Sequence, residues 1–281
     1  MDEIHADRAL ALVGPGRAGT AVALRLSRRG WSVRAVAGRS PDAPSTRRAA
    51  ALLDAPCVAV SDAGRDADLV VIATPDDAVA RVADVVEPAL RPGALVVHLS
   101  GAAGPEAFDG LRMARPDVRT GVLHPLQTLP SAEAGAARLD GAWCAVDGPD
   151  AEALAADLGL RPFPLPADPA ARRTYHAAAC VASNHVVVLL GQVERLAASC
   201  GVPFDAFLPL ARASLDNVGN VGPATALTGP VARGDVGTVV AHLDALPADE
   251  RDLYVAAARG ARRLVPSDDG ALDDVLDPVV A

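Results

Sequence analysis

The chain has 281 residues, of which 51% are hydrophobic, and these values are typical of a folded protein with room for two domains rather than of a disordered one. Its formal net charge of −9 argues against non-specific binding to nucleic acid or to an anionic membrane, and we find no apolar run long enough to span a bilayer. All 26 basic residues are arginine, which excludes a lysine proton donor, a Schiff-base lysine and a Walker phosphate loop.

The cysteines and the N-terminus indicate the compartment. The four cysteines lie far apart and form no C-x-x-C pair, which is typical of reduced, mostly buried thiols. Residues 1–8 have the composition of a polar tail, and their acidic start is unlike a signal peptide. We therefore expect a cytoplasmic protein.

Strand and helix patterns alternate through the first part of the chain. The predicted strands are Ala9–Val13, Trp31–Ala37, Cys57–Val60, Asp68–Thr74, Ala94–Leu99, Val118–His124 and Ala142–Asp147. The predicted helices between them are Thr20–Arg29, Asp76–Ala89 and Pro105–Ala114. This alternation predicts an α/β fold, an N-terminal Rossmann domain with a doubly wound, mostly parallel sheet.

The pattern changes at a proline-rich connector over residues Pro162–Pro169, which allows a short strand at Pro162–Leu165. Beyond it the sequence predicts one long helix over Ala170–Cys200, further helices, and a weakly patterned tail over residues 266–281. The further helices are Phe204–Asn217, Asp235–Leu246 and Asp249–Leu264. We therefore predict two domains, residues 1–168 and an all-helical 169–281. The alanine-rich long helix suits close packing against a second copy, so we expect a homodimer.

A glycine motif opens the first helix. Gly14, Gly16 and Gly19 follow a strand at the start of the chain and precede a helix, which is the context of a dinucleotide-binding turn. Gly14 makes the tight turn, Gly16 lets the backbone approach a pyrophosphate, and Gly19 allows close packing of the helix on the strand. The residues between them, Pro15, Arg17 and Ala18, belong to the same predicted cofactor site. The alternative is a plain glycine-rich turn.

The end of the second predicted strand indicates which dinucleotide is bound. An NAD site usually has an acidic residue there, about 20 residues beyond the motif, to hold the ribose hydroxyls. This strand instead ends in Arg39 and Ser40, which suit a 2′-phosphate, with no carboxylate until Asp42. We therefore predict NADP(H) in preference to NAD(H), the alternative being that Arg39 is a solvated loop residue.

The fourth predicted strand should also reach the cofactor. It ends in Thr74 and Pro75, and ligands of a doubly wound sheet lie beyond the carboxyl ends of its strands. Asp76 or Asp77, which follow, are better explained as caps of the next helix than as catalytic groups.

Two further strand ends supply candidate substrate-binding groups, Ser100 and His124. Either side chain could bind a substrate carboxylate or carbonyl, and His124 could instead transfer a proton. His98 is better explained as a buried structural histidine, and for His124 a structural role is an open alternative.

One face of the long predicted helix carries a polar set. At 100° per residue, Ser183 falls within about 20° of His176, and Asn184 within about 80°. His176 would donate the proton that a carbonyl oxygen needs when hydride reaches its carbon, and Asn184 would orient that oxygen. His185 falls on the opposite face and is assigned a structural role. A hydrogen-bonded core histidine is the alternative for His176.

A loop in the helical half adds a last candidate. Thr228 and Arg233 could bind an anionic substrate group, and Asp235 could cap the following helix. A simple helix–helix connector explains Asp235 fully and Arg233 less well.

In combination these motifs resemble those of Rossmann-like proteins with a C-terminal domain of unknown function, DUF2520. The resemblance covers residues 8 to 264, and the motifs that carry it, beside the glycine motif, are Thr-Pro-Asp-Asp (74–77), His-Leu-Ser-Gly-Ala (98–102), His-Pro-Leu (124–126), Tyr-His-Ala-Ala (175–178), Ser-Asn (183–184), Ala-Leu-Thr-Gly-Pro (226–230) and Arg-Gly-Asp (233–235). The family is similar to the 6-phosphogluconate dehydrogenase-like superfamily, which includes ketopantoate reductases, pyrroline-5-carboxylate reductases and β-hydroxyacid dehydrogenases.

The resemblance implies an all-helical second domain, frequently a dimerisation element, with the active site between the domains. Ketopantoate reductases and β-hydroxyacid dehydrogenases carry a catalytic lysine on the helix that opens this domain, where the present chain has His176.

The sequence thus predicts an NADP(H)-dependent oxidoreductase acting on a small, carboxylate-bearing oxo or hydroxy compound, with a ketopantoate reductase-like activity among the candidates. One alternative is an imine reductase of the pyrroline-5-carboxylate reductase type, which needs less help from a protein acid because an iminium arrives protonated. A second alternative is a dinucleotide-binding sensor without catalytic activity. We identify no set of metal ligands.

Overall fold

A single sheet carries the predicted site residues of the first half of the chain. The computed structural model describes residues 8–265 and 270–277. The strands are β1 (Ala9–Val13), β2 (Ser32–Ala37), β3 (Cys57–Val58), β4 (Leu69–Ile72), β5 (Leu95–His98), β6 (Arg119–Pro125), β7 (Trp143–Asp147) and β8 (Arg161–Pro164). Their order in the sheet is β3-β2-β1-β4-β5-β6-β7-β8. This confirms the predicted α/β fold.

The helices that precede the connector pack on both faces of this sheet, and the other helices follow the connector along the chain. They are α1 (Arg17–Ser27), α2 (Pro44–Leu53), α3 (Val79–Val86), α4 (Asp109–Ala114), α5 (Ala132–Arg138), α6 (Pro149–Leu158), α7 (Pro169–Cys180), α8 (Val186–Ser199), α9 (Leu208–Val221), α10 (Pro223–Ala226), α11 (Pro230–Arg233), α12 (Val236–Ala245), α13 (Ala248–Leu264) and α14 (Ala271–Leu276). Short 3₁₀ turns precede α3 and α4.

Strand β1 lies at the centre because all five of its residues are apolar and buried. Leu10 and Leu12 point to one face of the sheet, where they pack with α1, α2 and α6, and Ala11 and Val13 point to the other, where they pack with α3. Burial of a leucine contributes about 2 kcal/mol to stability. The order of strands reverses beside β1, so the crevice between the ends of β1 and β4 is the place where such sheets bind ligands.

The sheet departs from the prediction in one pairing. All neighbours run parallel except β6 and β7, which are antiparallel. The chain between them contains the seven-residue helix α5, which packs against α1. The short strand that the proline-rich connector allowed is present as β8, beside β7.

The sequence prediction missed six helical segments, of which α10 and α11 are only four residues long each. Helices α2, α5 and α6 are short and alanine-rich, and α2 and α6 begin with proline at their first position. Helix α14 lies in the segment predicted to be a weakly patterned tail, where its Leu272 and Leu276 are buried against Val239. Residues 266–269 and 278–281 of that segment, and residues 1–7 of the predicted polar tail, lie outside the described residues.

The long predicted helix is interrupted. A π-helical turn, Val181–His185, separates α7 from α8. Internal contacts divide the chain within this turn into two compact units, Met1–Ser183 and Asn184–Ala281, so that α7 belongs to the sheet unit and not to the helical unit as the predicted division at residue 168 implies. The reason lies in α7 itself, since Arg172 and Tyr175 contact groups of the sheet unit.

The stretch Pro169–Ser199 is long and apolar enough to be a candidate membrane span, with a mean hydropathy of 1.3 over its best 18 residues. This differs from the expectation that the sequence has no apolar run of that length. The first turns of this stretch are engaged in protein contacts, since Arg172 is only 2% exposed.

The second unit has a small apolar core and one buried polar network. Gln192 on α8 donates to the backbone oxygen of Glu250 at 2.7 Å and to its carboxylate at 3.1 Å. Arg195 binds the same carboxylate through two nitrogens and thereby lowers the pKa of Glu250. This network ties α8 to the first turn of α13.

Candidate active site

The loop that follows β1 has the geometry of a dinucleotide-binding turn. Gly14 has a positive φ of 92°, and a Cβ there would lie 2.6 Å from the backbone carbonyl of Ala73. Its amide donates to the oxygen of Ala37 at 2.9 Å, which joins the ends of β1 and β2. Only glycine fits this position without strain.

The other two motif glycines differ in what they do. A Cβ at Gly19 would lie 2.6 Å from the Cβ of Ala73, so the missing side chain lets α1 approach the end of β4. A Cβ at Gly16 would meet nothing within 4 Å, and Gly16 stands immediately before the first turn of α1. The backbone at Gly16 therefore faces open space at a helix N-terminus, where a phosphate group is favoured.

That open space belongs to a cleft of about 790 Å³ between the ends of β1, β2 and β4. Six of the predicted cofactor residues line it, namely Gly14, Pro15, Gly16, Arg39, Thr74 and Pro75. Arg17 lines an adjoining depression of about 540 Å³ with Ser45 and Arg48. Ala18, Gly19 and Ser40 do not line the cleft, so Gly19 acts through packing.

Buried polar groups test whether the cleft fits a dinucleotide. The Oγ1 of Thr74 is buried and has no hydrogen-bond partner among the described residues, although Thr74 lines the cleft. An unpaired buried hydroxyl is costly, and a bound ligand would supply the partner. Together with the space at Gly16, this group fits a nicotinamide dinucleotide.

At the end of β2, only Arg39 of the two residues predicted to bind a 2′-phosphate lines the cleft. Arg39 is exposed and lines the cleft, but the Oγ of Ser40 accepts the amide of Asp42 at 3.1 Å and so shapes the turn. Ser45 at the start of α2 and Arg81 on α3 line the cleft instead. Asp42 forms an ion pair with Arg47.

The two aspartates after Pro75 do not cap through their side chains. Asp76 and Asp77 occupy the first turn of the 3₁₀ segment, and the cap position itself is Pro75, which makes no side-chain cap hydrogen bond. Asp77 also lines the cleft and lies 3.9 Å from Arg81. Their charges still lie at the positive end of the helix.

His98 at the end of β5 is fully buried, as its structural assignment required. Its Nδ1 accepts the amide of Ser100 at 3.2 Å, so its Nε2 carries the proton and donates to the oxygen of Gly104 at 3.2 Å. Burial lowers the pKa of His98 and keeps the ring neutral. The ring thus fixes the loop over residues 100–104.

Ser100 shapes the same loop. Its Oγ accepts the amides of Ala102 at 3.2 Å and Ala103 at 2.9 Å, and the residue is 8% exposed. The backbone of the loop then passes close to His124, because a Cβ at Gly101 would lie 2.5 Å from that ring. The hydroxyl that was predicted to bind substrate has this structural role in the protein.

His124 at the end of β6 meets two side chains of α7. Its Nδ1 lies 2.6 Å from the hydroxyl of Tyr175, and its ring centre is 6.1 Å from that of His176. Burial, and then the charge of His176, lower the pKa of His124 to about 4. Burial, and then Cys144, raise the pKa of Tyr175 to about 12. At neutral pH the pair is therefore uncharged.

Tyr175 was not among the predicted site residues. It belongs to the Tyr-His-Ala-Ala motif, but only the histidine of that motif was assigned a chemical role. The available signal was its position next to His176 on a helix expected to face the site, since tyrosine is amphipathic and usually finds a partner for its hydroxyl when buried.

The π-helical turn changes the predicted polar face of the long helix. The angles between His176, Ser183 and Asn184 assumed a uniform α-helix, which the turn at Val181–His185 breaks. The hydroxyl of Ser183 donates to the oxygen of Ala179 at 2.7 Å. Asn184 and Arg233 belong to the second unit. In that unit Asp235 caps α12 as predicted, accepting the amide of Thr238 at 3.0 Å.

Both parts of the chain match known protein families. Residues 3–125 match the Rossmann-like domain family, and residues 142–261 match the domain of unknown function DUF2520. A Bacteroides fragilis protein described as a "putative NADP oxidoreductase" is 26% identical, with a TM-score of 0.76 over 92% of this chain and 98% of that one. A Thermotoga maritima protein is 22% identical, with a TM-score of 0.71 over 92% of this chain and 100% of that one.

Among curated proteins the match is shorter. A D-apionate oxidoisomerase from Cupriavidus necator is 37% identical over 73 residues, which is 26% of this chain and 25% of that protein. The chain therefore aligns with only a quarter of the length of this curated relative. Taken with the fold and the glycine loop, the two family matches identify the chain as a member of the Rossmann-like, DUF2520 domain-containing proteins.

Proposed function

We propose that the chain is an NADP(H)-dependent oxidoreductase that transfers hydride to or from a small, carboxylate-bearing oxo or hydroxy compound, such as the substrates of ketopantoate reductases. The observation that carries the proposal is the cleft, where the bare backbone at Gly16 and the unpaired Oγ1 of Thr74 face the space in which a dinucleotide would lie. The similarity to the Bacteroides fragilis protein supports the same class of cofactor.

The preference for NADP(H) rests on arginine. Arg39 and Arg81 both line the cleft, Arg39 beyond the end of β2 and Arg81 on α3, and a 2′-phosphate would lie between strong donors of the right charge. Asp42, the first carboxylate after β2, is held by Arg47 and is not among the residues that line the cleft.

When bound, NADP(H) supplies or accepts the hydride. His176 would then give a proton to the oxygen of the reduced carbonyl, or take it back in the reverse direction. His124 is held neutral by burial and paired to Tyr175, so it would hold substrate oxygen by a hydrogen bond rather than by charge. Asn184, Arg233 and the hydroxyl proton of Ser100 would orient the substrate.

One observation favours the imine-reductase alternative. The negative charge of Asp76 acts on both His98 and His124 and favours their protonated forms. A carboxylate near the site would stabilise a cationic iminium as well. The His176→Ala variant separates the two chemistries, because a carbonyl substrate needs the lost proton donor and an iminium does not. Turnover within about threefold of the wild type would support imine reduction, and a loss of about 10²-fold or more would support carbonyl reduction.

We also propose that the protein is a cytoplasmic homodimer whose contact is made by the second unit. Helix α9 has no buried residue, although its Leu210 and Leu215 are 65% and 59% exposed, and Val187 on α8 is 70% exposed. A second copy would cover these faces. Light scattering should give twice the chain mass, and Leu215→Glu should give the monomer. A monomer at every concentration, or flotation of the protein with lipid vesicles, would contradict this assignment.

The cofactor is tested by titrating the purified protein with NADPH and with NADH, followed by nucleotide fluorescence. Arg39→Ala should weaken NADPH binding about tenfold or more, equal to about 1.4 kcal/mol, and leave NADH binding nearly unchanged. Arg28→Ala is the matched control, because Arg28 is an exposed arginine at the opposite end of α1 from the glycine loop. Binding of neither nucleotide by the wild type would refute the oxidoreductase.

A further inference from the structure

Arg172 is an arginine that the reaction proposed above does not use, and it is only 2% exposed. A guanidinium group cannot lose its charge in a protein, so burying it is costly unless its donors are satisfied. Its Nη2 binds the carboxylate of Glu106, and its Nη1 donates to the backbone oxygens of Pro166 and Ala167, at 3.3 and 2.7 Å. Burial of the Arg172 guanidinium therefore carries a substantial free-energy cost of desolvation.

These partners belong to different segments of the sheet unit. Glu106 follows the loop over residues 100–104, which packs on His124, and Pro166 and Ala167 belong to the connector between β8 and α7. Arg172 itself lies on α7. One side chain therefore joins the loop after β5, the connector and the helix.

The fit of the guanidinium against the loop is close. A Cβ at Gly104 would collide with Cζ of Arg172 and with the carboxylate of Glu106, so the glycine leaves the space in which this ion pair lies. Gly104 has an ordinary φ of −107°, so its backbone conformation does not require glycine. Glycine is required there because a side chain would occupy the space of the ion pair. Its backbone oxygen accepts the hydrogen bond of His98.

The same helix carries the side chains that meet His124. Tyr175 and His176 stand three and four residues after Arg172, which places all three on one side of α7. A rotation or a shift of α7 by one residue would separate the Tyr175 hydroxyl from Nδ1 of His124, now 2.6 Å apart.

We propose that Arg172 is a positioning residue that locks α7 to the loop over residues 100–104 and thereby holds Tyr175 and His176 against His124. The inference rests on the proposed function only for the chemical role of these three side chains. Their placement can be measured without cofactor or substrate. The lock requires both the charge and the forked geometry of arginine, because Nη1 and Nη2 bind partners in two different segments of the chain.

The experiment is an NMR titration of the histidine rings in the full-length protein, with the His124 signal assigned from a His124→Gln variant. In Arg172→Met, release of α7 should expose His124 and raise its proton affinity about tenfold or more. Gly104→Ala should produce the same change by displacing the guanidinium, although it leaves Arg172 in the sequence. Arg173→Met, which alters an exposed arginine on the same helix, should leave the His124 titration unchanged.

Arg172→Lys separates geometry from charge. Lysine keeps the positive charge but cannot reach all the partners at once, so it should give most of the change seen with methionine. An unchanged His124 titration in Arg172→Met would overturn the proposal, and so would full restoration by lysine, which would assign the effect to charge alone. If the methionine variant does not fold, Gly104→Ala and Arg172→Lys decide, and an unshifted His124 in both would overturn the proposal. The NADPH titration of these variants tests the cofactor separately.

Discussion

The hydroxyl of Tyr175 lies 2.6 Å from Nδ1 of His124, and the two rings meet edge to face. Neither group carries a charge at neutral pH, since burial lowers the pKa of His124 to about 4 and raises that of Tyr175 to about 12. The two residues are 51 positions apart in the chain, so this hydrogen bond connects the end of β6 to α7.

Tyr175→Phe should leave Nδ1 of His124 without its partner in a buried environment. We expect the free energy of unfolding to fall by about 1–3 kcal/mol, measured by urea denaturation. Tyr254→Phe is the matched control, because Tyr254 forms a similar hydrogen bond to His242 at 2.8 Å in an exposed setting. Its loss should cost less than about 1 kcal/mol. Equal losses in the two variants would argue that burial does not strengthen the Tyr175 bond.

Stability should depend on pH through His124. Its pKa in the folded protein, about 4, lies below the ordinary value of 6.5, so between these values the unfolded chain binds a proton that the folded protein does not. The free energy of unfolding should therefore fall as the pH drops from 6.5 to about 4, by up to about 3 kcal/mol, and this contribution should then level off. His98 acts in the same direction.

The measurement is urea denaturation across this pH range with wild type and His124→Gln. The variant should lose less stability on acidification than the wild type, because one of the two rings with a lowered pKa has been removed. Parallel curves for the two proteins would show that His124 titrates normally in the folded state.

The glycine loop predicts opposite results for two neighbouring substitutions. Gly16→Ala should change stability by less than about 1 kcal/mol, since its Cβ meets nothing within 4 Å, but it should weaken NADPH binding about tenfold or more. Gly14→Ala should destabilise the fold itself by about 3 kcal/mol or more, through its positive φ and its collision with Ala73. Normal NADPH binding by Gly16→Ala would mean that the pyrophosphate lies elsewhere.

The second unit should be sensitive to Gln192. Gln192→Leu removes both donors to Glu250 and leaves its buried backbone oxygen without that partner, which should cost about 1–3 kcal/mol. Glu194→Gln on the exposed side of α8 should change stability by less than about 0.5 kcal/mol. Melting curves that do not distinguish the two variants would contradict the role of this network.

What the sequence predicts well is local. The turn from β1 into α1 is readable because Gly14 and Gly19 each meet Ala73, at the end of the next strand of the predicted sheet, and glycine spacing reports that close approach. Likewise the buried role of His98 follows from its place in a strand that is apolar on both faces. Both inferences depend on a few consecutive residues.

What it misses depends on distant contacts. The direction of β7 and the partner of His124 both depend on residues far apart in the chain, and neither has a periodic signature. The angles predicted between His176, Ser183 and Asn184 differ from the structure for a related reason, since they assumed a uniform α-helix. An even count of 100° per residue cannot anticipate the π-helical turn at Val181–His185, which rotates Ser183 and Asn184 relative to His176.

The two prolines of β8 limit how molecules of this protein can aggregate. Arg161 and Leu165 donate their amides inward to β7, so Pro162 and Pro164 occupy the positions whose amides would otherwise point outward from the edge of the sheet. The opposite edge, β3, is only two residues long. Neither of these two edge strands presents a row of free backbone amides to a strand of another chain. Edge-to-edge pairing between molecules at high concentration is therefore disfavoured.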